Sequence, residues 1–372
     1  MCEMEPRELR PQRPRPNLFA ASGFYLLAAV GLWGIALFGG QIAEWVAGIW
    51  PGVTTYQLEL GINALYYGLF LLIPLSVWSA RRKDAVDLLR LNPVGAGTAI
   101  RTTVIAVLCM LIVQEGSIFW MVLWQKLGFN VFVSSFVRPA DTAELTRAMI
   151  TVAIIAPVCE ELLFRGVLFQ AWEARGTRKA IGVTALLFAM LHGSLMGLPG
   201  EIFGGVILAL LVLWTDSLYT GMIFHSVYNA AALLMNVFSS GASVEESAET
   251  ASLMYTDLVA YLGGWGTMAA LLLDIALMGL LVAVLMRRLR VTAVLRQAAM
   301  EAAPDGDLTD ALERMRAGEK LIDPQRAREL KRSDFVLPVR TPLSAGEILL
   351  IMAGAASCLA MYLFDVLSML GG

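Results

Sequence analysis

Three short polar motifs lie within hydrophobic stretches of this chain, and their residue types are those used in acid–base chemistry. They are Glu160, Glu161 and Arg165; His192; and His225 and Asn229. An ionisable side chain at the centre of a membrane helix costs roughly 2.5–3.5 kcal/mol to insert. A membrane protein that carries such groups in three consecutive hydrophobic regions is expected to use them, so the sequence predicts an intramembrane enzyme.

The first motif contains two adjacent carboxylates, for which we expect different roles. Successive residues of a helix point about 100° apart, so Glu160 and Glu161 face different neighbours. Glu161 and Arg165 have the i,i+4 spacing of an ion pair along one helix face. An ion pair that only holds helices together is the structural alternative, but it does not account for the second carboxylate. Glu160 is therefore expected to be free for proton transfer.

The second and third motifs supply both histidines of the chain. His225 and Asn229 have i,i+4 spacing, so an imidazole and an amide share one helix face and form a donor pair that suits a developing oxyanion. His192 by itself is typical of a packing residue on an apolar helix. Because the motifs occur in order, we expect Glu160, His192, His225 and Asn229 to line one polar cavity within the membrane.

Membrane helices must position these residues. The hydrophobic share is 58%, the charged share 16% and the mean hydropathy +0.67, whereas a soluble domain has about 25% charged residues. The predicted fold is all-α, a polytopic transmembrane helix bundle of about 8–9 spans with an intramembrane polar cavity. The spans are expected at about 18–38, 56–78, 102–124, 145–170, 180–196, 200–214, 218–238, 257–286 and 345–370. Ser344-Ala345-Gly346-Glu347 is expected to form a capping box at the last helix.

Basic residues orient the predicted bundle. Arg and Lys cluster in residues 1–17, 79–101, 171–180 and 287–296, and nine spans with the N-terminus inside put all four clusters on the cytoplasmic side. The catalytic site is then expected nearer the cytoplasmic face. The predicted divisions are a cytoplasmic tail 1–17, N-terminal membrane helices 18–144, a catalytic core 145–240, an extracytoplasmic loop and helix 241–286, a cytoplasmic charged linker 287–343 and a C-terminal helix 344–372.

The motifs Glu160-Glu161-x-x-x-Arg165, Phe188-x-x-x-His192 and His225-x-x-x-Asn229 resemble those of the CPBP family. That family includes the type II CAAX prenyl endopeptidases and the bacterial Abi proteins linked to bacteriocin self-immunity. The core resemblance covers roughly residues 145–240. It implies a helical membrane fold with a cavity reached from the cytoplasmic side.

The resemblance also implies a role for each motif residue. Glu160 and His192 would activate water, and His225 and Asn229 would stabilise the oxyanion. Glu161 and Arg165 would support Glu160 or contact the C-terminus of the substrate. We therefore interpret the chain as an intramembrane endopeptidase, a CAAX prenyl endopeptidase-like hydrolase. The alternative is a non-proteolytic membrane protein, either an ion-coupled transporter or a scaffold that uses the buried carboxylates.

The resemblance leaves the cofactor open, because the family has been described both as metalloprotease and as metal-free glutamate protease. Two histidines and a glutamate can hold Zn²⁺, in which case His192, His225 and Glu160 are the expected ligands. A metal-free site is the favoured interpretation, since an Asn–His donor pair suits an oxyanion. The scattered cysteines predict neither a disulfide framework nor a thiolate site.

The composition and the resemblance limit the expected partners. They are a peptide or lipidated protein substrate and membrane lipids, with no nucleic acid, because no basic run with interleaved aromatic residues occurs. The protein is expected to be integral to the plasma membrane with its N-terminus in the cytoplasm. The substrate could be a lipidated C-terminus, a leader peptide or a membrane-anchored segment.

Overall fold

The chain is described from a computed structural model, which covers residues 16–54, 57–58, 60–68, 70, 85–127, 129, 139, 141–239, 265–302, 310, 313–315 and 343–371. These residues form helices and connecting turns, with no strand among them. The continuous helices are α1 (Leu18–Ile49), α2 (Ala96–Lys126), α3 (residues 142–173), α4 (Thr177–His192), α5 (Leu198–Thr215), α6 (Leu218–Ser239), α7 (Trp265–Ala302) and α8 (Ala345–Gly371). The described residues of 57–70 are helical as well.

The helices confirm an all-helical membrane protein and leave the number of spans as a prediction. Five helices are long and apolar enough to cross a bilayer. They include Leu18–Ile49, Ala96–Met121, Leu198–Thr215, Trp265–Leu295 and Ala345–Leu363. A helix lies at each of the nine positions expected from the sequence, within the part of the chain that the structure describes.

Two helix boundaries differ from the sequence-based expectation. α1 continues past residue 38 to Ile49: Gly39 and Gly40 do not end it, and the next proline is Pro51. α7 continues through the predicted boundary at 286–287 to Ala302, so the first part of the predicted charged linker is helical. Charged residues are good helix formers once a helix leaves the membrane. Most of the remaining linker, 303–342, lies outside the described residues.

The capping box at α8 is confirmed. The backbone N–H of Ser344 donates to Oε2 of Glu347 at 2.8 Å, and the backbone N–H of Glu347 donates to Oγ of Ser344 at 3.2 Å. Both donors would otherwise be unsatisfied at a helix start. The same glutamate pairs with Arg175, at 3.1 Å, and so ties the start of α8 to the turn between α3 and α4.

α3 carries the first motif and alternates between two kinds of helix. Its α-helical parts are Thr142–Ile150, Ala156–Glu161 and Phe169–Glu173, and its π-helical parts are Thr151–Ile155 and Leu162–Leu168. Segments of π-helix are rare in proteins, and those that occur are often found at functional sites. The turn with Glu160 and Glu161 therefore lies between two such segments.

Aromatic packing holds α3 at the centre of the bundle. Phe164 of α3 makes edge-to-face contacts with Tyr25 of α1 and Phe188 of α4, with ring centroids 6.2 and 5.1 Å apart. The hydroxyl of Tyr25 donates to the carbonyl of Leu187 at 3.2 Å. The hydroxyl of Tyr362 in α8 reaches α4 in the same way, at the carbonyl of Ala189. Side chains of α1 and α8 thus both bond to the backbone of α4, the helix that ends in His192.

One end of the bundle collects basic residues, and we call it the basic end. Arg90 donates to Oε2 of Glu173 at 2.6 Å and lies 3.5 Å from Asp216, which joins the segment before α2 to the end of α3 and the α5–α6 turn. Thr98 of α2 and Thr292 of α7 line a groove beside that turn. The described parts of 79–101, 171–180 and 287–296 therefore share one end, as the sequence predicts, and its cytoplasmic location stays a prediction.

Candidate active site

Glu160 lies between both histidines of the chain. Its Oε2 is 3.8 Å from Nε2 of His225 and 4.0 Å from Nε2 of His192. Its Oε1 accepts a hydrogen bond from the hydroxyl of Tyr67 at 3.0 Å. Oε2 is buried and accepts no hydrogen bond from the described residues. Polar groups separated by more than about 3.5 Å commonly meet through a water, so this oxygen and the two imidazoles surround a position suited to a water molecule.

Glu161 is fully buried and connects two other members of the motifs. Its Oε1 accepts from a guanidinium nitrogen of Arg165 at 2.8 Å and lies 3.1 Å from Nδ1 of His225. The Arg165 guanidinium also donates to the carbonyl of Gly205 in α5 at 3.1 Å. The i,i+4 spacing in the sequence predicts the Glu161–Arg165 pair, and the structure contains it. The contact with His225 was not anticipated, because it joins α3 to α6.

Small residues give this buried pair its room. A Cβ at Gly221 would lie 2.7 Å from Oε2 of Glu161, and one at Gly205 would lie 2.9 Å from Cα of Ala185. Glycine at both positions lets helices approach closely, as is common in membrane proteins. The close α4–α5 approach at Gly205 brings its carbonyl within reach of Arg165. The ion pair is therefore held by the packing of three helices.

The hydrogen bonds at Nδ1 fix which nitrogen of each imidazole faces Glu160. Nδ1 of His192 lies 2.9 Å from the carbonyl oxygen of Phe188, which can only accept, so Nδ1 carries the proton. Nδ1 of His225 faces the Glu161 carboxylate and is assigned a proton for the same reason. In the neutral form of either ring, Nε2 is then an acceptor that points at Oε2 of Glu160.

Asn229 meets the backbone of α3. Its amide Nδ2 donates to the carbonyl of Val152 at 2.9 Å. The backbone N–H of Ala156 bonds to the carbonyl of Thr151 instead, and the next donor along the π-helical path would be residue 157, a proline without an N–H. Asn229 therefore satisfies a carbonyl that Pro157 leaves without a backbone donor. An amide N–H₂ has a second hydrogen, which remains for a ligand.

The sequence-based interpretation missed two side chains of the cluster. Tyr67 contacts Glu160 as described above, and Glu201 at the start of α5 has Oε2 3.6 Å from Nε2 of His192. Tyr67 belongs to the 57–70 helix, and no local spacing links it to Glu160. Glu201 follows His192 by nine residues and lies in the first turn of α5. An acidic residue there is also explained by its favourable interaction with the helix N-terminus. Its position after the second motif was the available signal.

Exposure of the cluster is uneven. The Glu161 side chain is 0% exposed and that of Glu160 8%, whereas those of His192 and Glu201 are 30% and 32% exposed. His192 ends α4 and Glu201 begins α5, and the basic end lies at the opposite ends of these two helices. The described exposures therefore do not support entry from the basic end. Both the open cavity and access from the cytoplasm stay predictions.

Whether the cluster uses a metal ion stays a prediction. Among the described residues, no three or more His, Cys, Asp or Glu side chains are arranged to hold one. His225 and His192 each direct Nε2 at one oxygen of Glu160, and the other oxygen of that carboxylate already accepts from Tyr67. Nε2 of both histidines and Oε2 of Glu160 would be the ligands of a metal ion bound at this position.

The fold and the cluster define an integral membrane protein with a polar site among its helices. Residues 142–231 match the family described as Type II CAAX prenyl endopeptidase Rce1-like. This range begins with α3, ends within α6 and contains all six residues of the three motifs. Over these residues, from the start of α3 into α6, the chain is similar to the Rce1-like family. No curated protein and no solved structure matches the chain.

Proposed function

We propose that the protein is an intramembrane endopeptidase that hydrolyses a peptide bond with a water activated by Glu160 and His192. The observation that carries the proposal is the buried Oε2 of Glu160, which accepts no hydrogen bond from the described residues and faces Nε2 of both histidines at 3.8 and 4.0 Å. Burial of an unsatisfied carboxylate oxygen is costly. A reacting water at this position would account for it.

The geometry supports a division of labour in the attack step. A water between Glu160 and His192 can donate one hydrogen to Oε2 and the other to Nε2 of His192, because Nδ1 of that ring is committed to Phe188. The Glu160 carboxylate takes a proton from the water as the water oxygen bonds to the carbonyl carbon of the peptide. The Tyr67 hydroxyl holds the other oxygen of Glu160 and fixes the direction of the carboxylate.

The tetrahedral intermediate needs donors on the side of α6. With Nδ1 donating to Glu161, Nε2 of His225 can donate to the oxyanion only when the ring is protonated. The Glu161 carboxylate would stabilise that charge, in the way a carboxylate orients and supports a catalytic histidine. The second N–H of Asn229 would complete the pair. The proton held by Glu160 then passes to the leaving nitrogen as the C–N bond breaks.

The location of the cluster restricts the substrate. The six residues lie on helices whose flanking sequence is apolar, so a substrate must reach them from the lipid or along the bundle surface. A peptide that carries a lipid, or a segment anchored in the membrane, meets this requirement. The partly exposed His192 and Glu201 form the accessible edge and would contact the substrate first.

Cleavage of a defined substrate tests the proposal. The purified full chain in lipid nanodiscs is incubated with a quenched fluorescent peptide that ends in a farnesylated C-terminal motif, and with its unprenylated counterpart. Glu160→Gln should reduce cleavage about 10²–10⁴-fold. Glu144→Gln is the matched control, because Glu144 is a buried glutamate of the same helix that contacts Thr54 rather than the cluster.

A wider search covers other substrates. Membrane and secreted peptides from cells that express the active chain or Glu160→Gln are compared by mass spectrometry. A product present only with the active chain would identify the cleavage site. Equal peptide sets, together with unchanged cleavage of both fluorescent peptides, would refute the proteolytic function.

The alternative function is ion-coupled transport or a scaffold role. One observation favours testing transport: Glu115 of α2 and Asp274 of α7 interact between the packed helices. Acidic side chains within the membrane helices of transporters carry protons or cations. Proton flux into liposomes that depends on Glu115 and Asp274 and not on Glu160 would favour this alternative.

A further inference from the structure

A groove between α2 and α7 lies apart from the candidate active site. Its volume is about 420 Å³, and its lining combines three arginines with two valines and a threonine. These residues are Arg101, Val284, Arg287, Arg288, Val291 and Thr292. Arg101 comes from one helix and the other five from its neighbour, so the packing of the two helices creates the groove.

The groove lies where the apolar parts of both helices end. Arg101 precedes the apolar run of α2, and Arg287 and Arg288 follow that of α7, in which no basic residue occurs before them. Val284 and Val291, one turn to either side, are 41% and 49% exposed. From Val284, which lies on the side of the apolar run, the lining therefore passes to arginines, as expected at the polar boundary of a bilayer.

The arginines have unused hydrogen-bonding capacity. Within the described ranges, Arg101, Arg287 and Arg288 form no ion pair with a carboxylate, unlike Arg90, Arg165 and Arg175. Their guanidinium groups repel one another, and an anion in the groove would relieve the repulsion. Phosphate oxygens match the fork of guanidinium donors, whereas the hydroxyl of Thr292 already donates to the carbonyl of Arg288 at 2.9 Å.

We propose that this groove binds the phosphate of an anionic phospholipid from the leaflet at the basic end. The shared chemistry of a lipid and of free phosphate is the anionic phosphate group. The exposed Val284 favours the lipid, because it offers an apolar surface to acyl chains directly beside the phosphate-binding arginines. Basic recesses between membrane helices are a known setting for such headgroups. The site would brace α2 against α7, and it is independent of the proteolytic function.

Lipid retention measures this binding directly. The full chain is reconstituted in phosphatidylcholine nanodiscs with a minor share of phosphatidylglycerol, and the phosphatidylglycerol that copurifies after detergent extraction is quantified. Arg287→Gln/Arg288→Gln should weaken retention by at least about tenfold. Arg178→Gln/Lys179→Gln should leave it unchanged, because it removes the same charge from two adjacent exposed residues at the basic end.

Three outcomes would overturn the proposal. One is equal loss in both double variants, which indicates a general effect of charge. Another is displacement of the lipid by inorganic phosphate at millimolar concentration, which indicates a free-anion site. The third is no loss in either variant, as expected if the acidic residues after α7 occupy the groove. If the double variant does not fold, Arg101→Gln compared with Lys179→Gln tests the same groove from α2.

Discussion

Glu161 and His225 are joined across α3 and α6 by a contact of 3.1 Å between Oε1 and Nδ1, and the same oxygen accepts from Arg165. The fully buried carboxylate of Glu161 thus contacts a guanidinium and an imidazole at the same time. Removal of its charge would leave Arg165 without compensation in a low-dielectric interior. We therefore expect the motif Glu-Glu-x-x-x-Arg to stabilise the fold as well as to take part in the proposed chemistry.

Glu161→Gln should destabilise the protein by roughly 3–5 kcal/mol, the range for breaking a buried ion pair. Thermal unfolding of the purified protein in detergent measures the effect. The double variant Glu161→Gln/Arg165→Met should recover much of the loss, since no unpaired charge remains. A Glu161→Gln protein as stable as the unaltered chain would contradict the role assigned to the pair.

Asn229→Ala should lower the free energy of unfolding by about 1–3 kcal/mol, because it leaves the part-buried carbonyl of Val152 without a donor. Pro157→Ala restores an N–H at the position that can reach this carbonyl in the π-helical path. In the Pro157→Ala background, Asn229→Ala should therefore cost much less stability.

Activity separates the two roles of Asn229 in the same set of variants. If its second N–H stabilises the oxyanion, cleavage stays reduced by about 10²–10³-fold in both backgrounds. Recovery of full cleavage in the double variant would instead show that Asn229 acts only through the π-helical segment of α3.

Tyr67→Phe should lower the cleavage rate by about tenfold, in line with loss of one hydrogen bond to a charged group. The neighbouring Tyr66→Phe is the matched control, because the hydroxyl of Tyr66 donates to the carbonyl of Ala28 and not to Glu160. Equal effects of the two substitutions would mean that Tyr67 contributes to packing alone.

Activity is expected to survive removal of metal ions. Protein treated with a chelator and checked by elemental analysis should cleave its substrate at the original rate, since Nε2 of both histidines and Oε2 of Glu160 surround a gap that suits a water. Stoichiometric zinc, with loss of activity on removal and recovery on return, would make His192 and His225 ligands and Glu160 the base of a metalloprotease.

Local spacing made part of this site predictable. The Glu161–Arg165 pair and the separate direction of Glu160 follow from helical geometry alone. Tyr67 and Glu201 could not be derived in this way, because their contacts depend on how distant helices pack. A lone tyrosine in a membrane segment is ordinarily an interfacial or packing residue.

The π-helical segments of α3 could not be predicted from the apolar pattern of the sequence either. Apolar periodicity predicts a helix at 145–170, but an α-helix and a π-helix share nearly the same pattern over one or two turns. Pro157 was a usable signal, because a proline within a helix leaves a carbonyl in need of another donor. The identity of that donor, Asn229, depends on the packing of α6 and could only come from the structure.

The π-helical segments of α3 determine where this sequence can change in length. A π-helical turn takes one residue more than an α-helical turn, so Leu162–Leu168 could lose a residue and relax to regular helix. The same deletion within Phe169–Glu173 would rotate every preceding side chain by about 100° relative to the basic end. Natural variants one residue shorter should therefore carry their gaps inside the π-helical segments, with the glutamates kept in phase with the histidines.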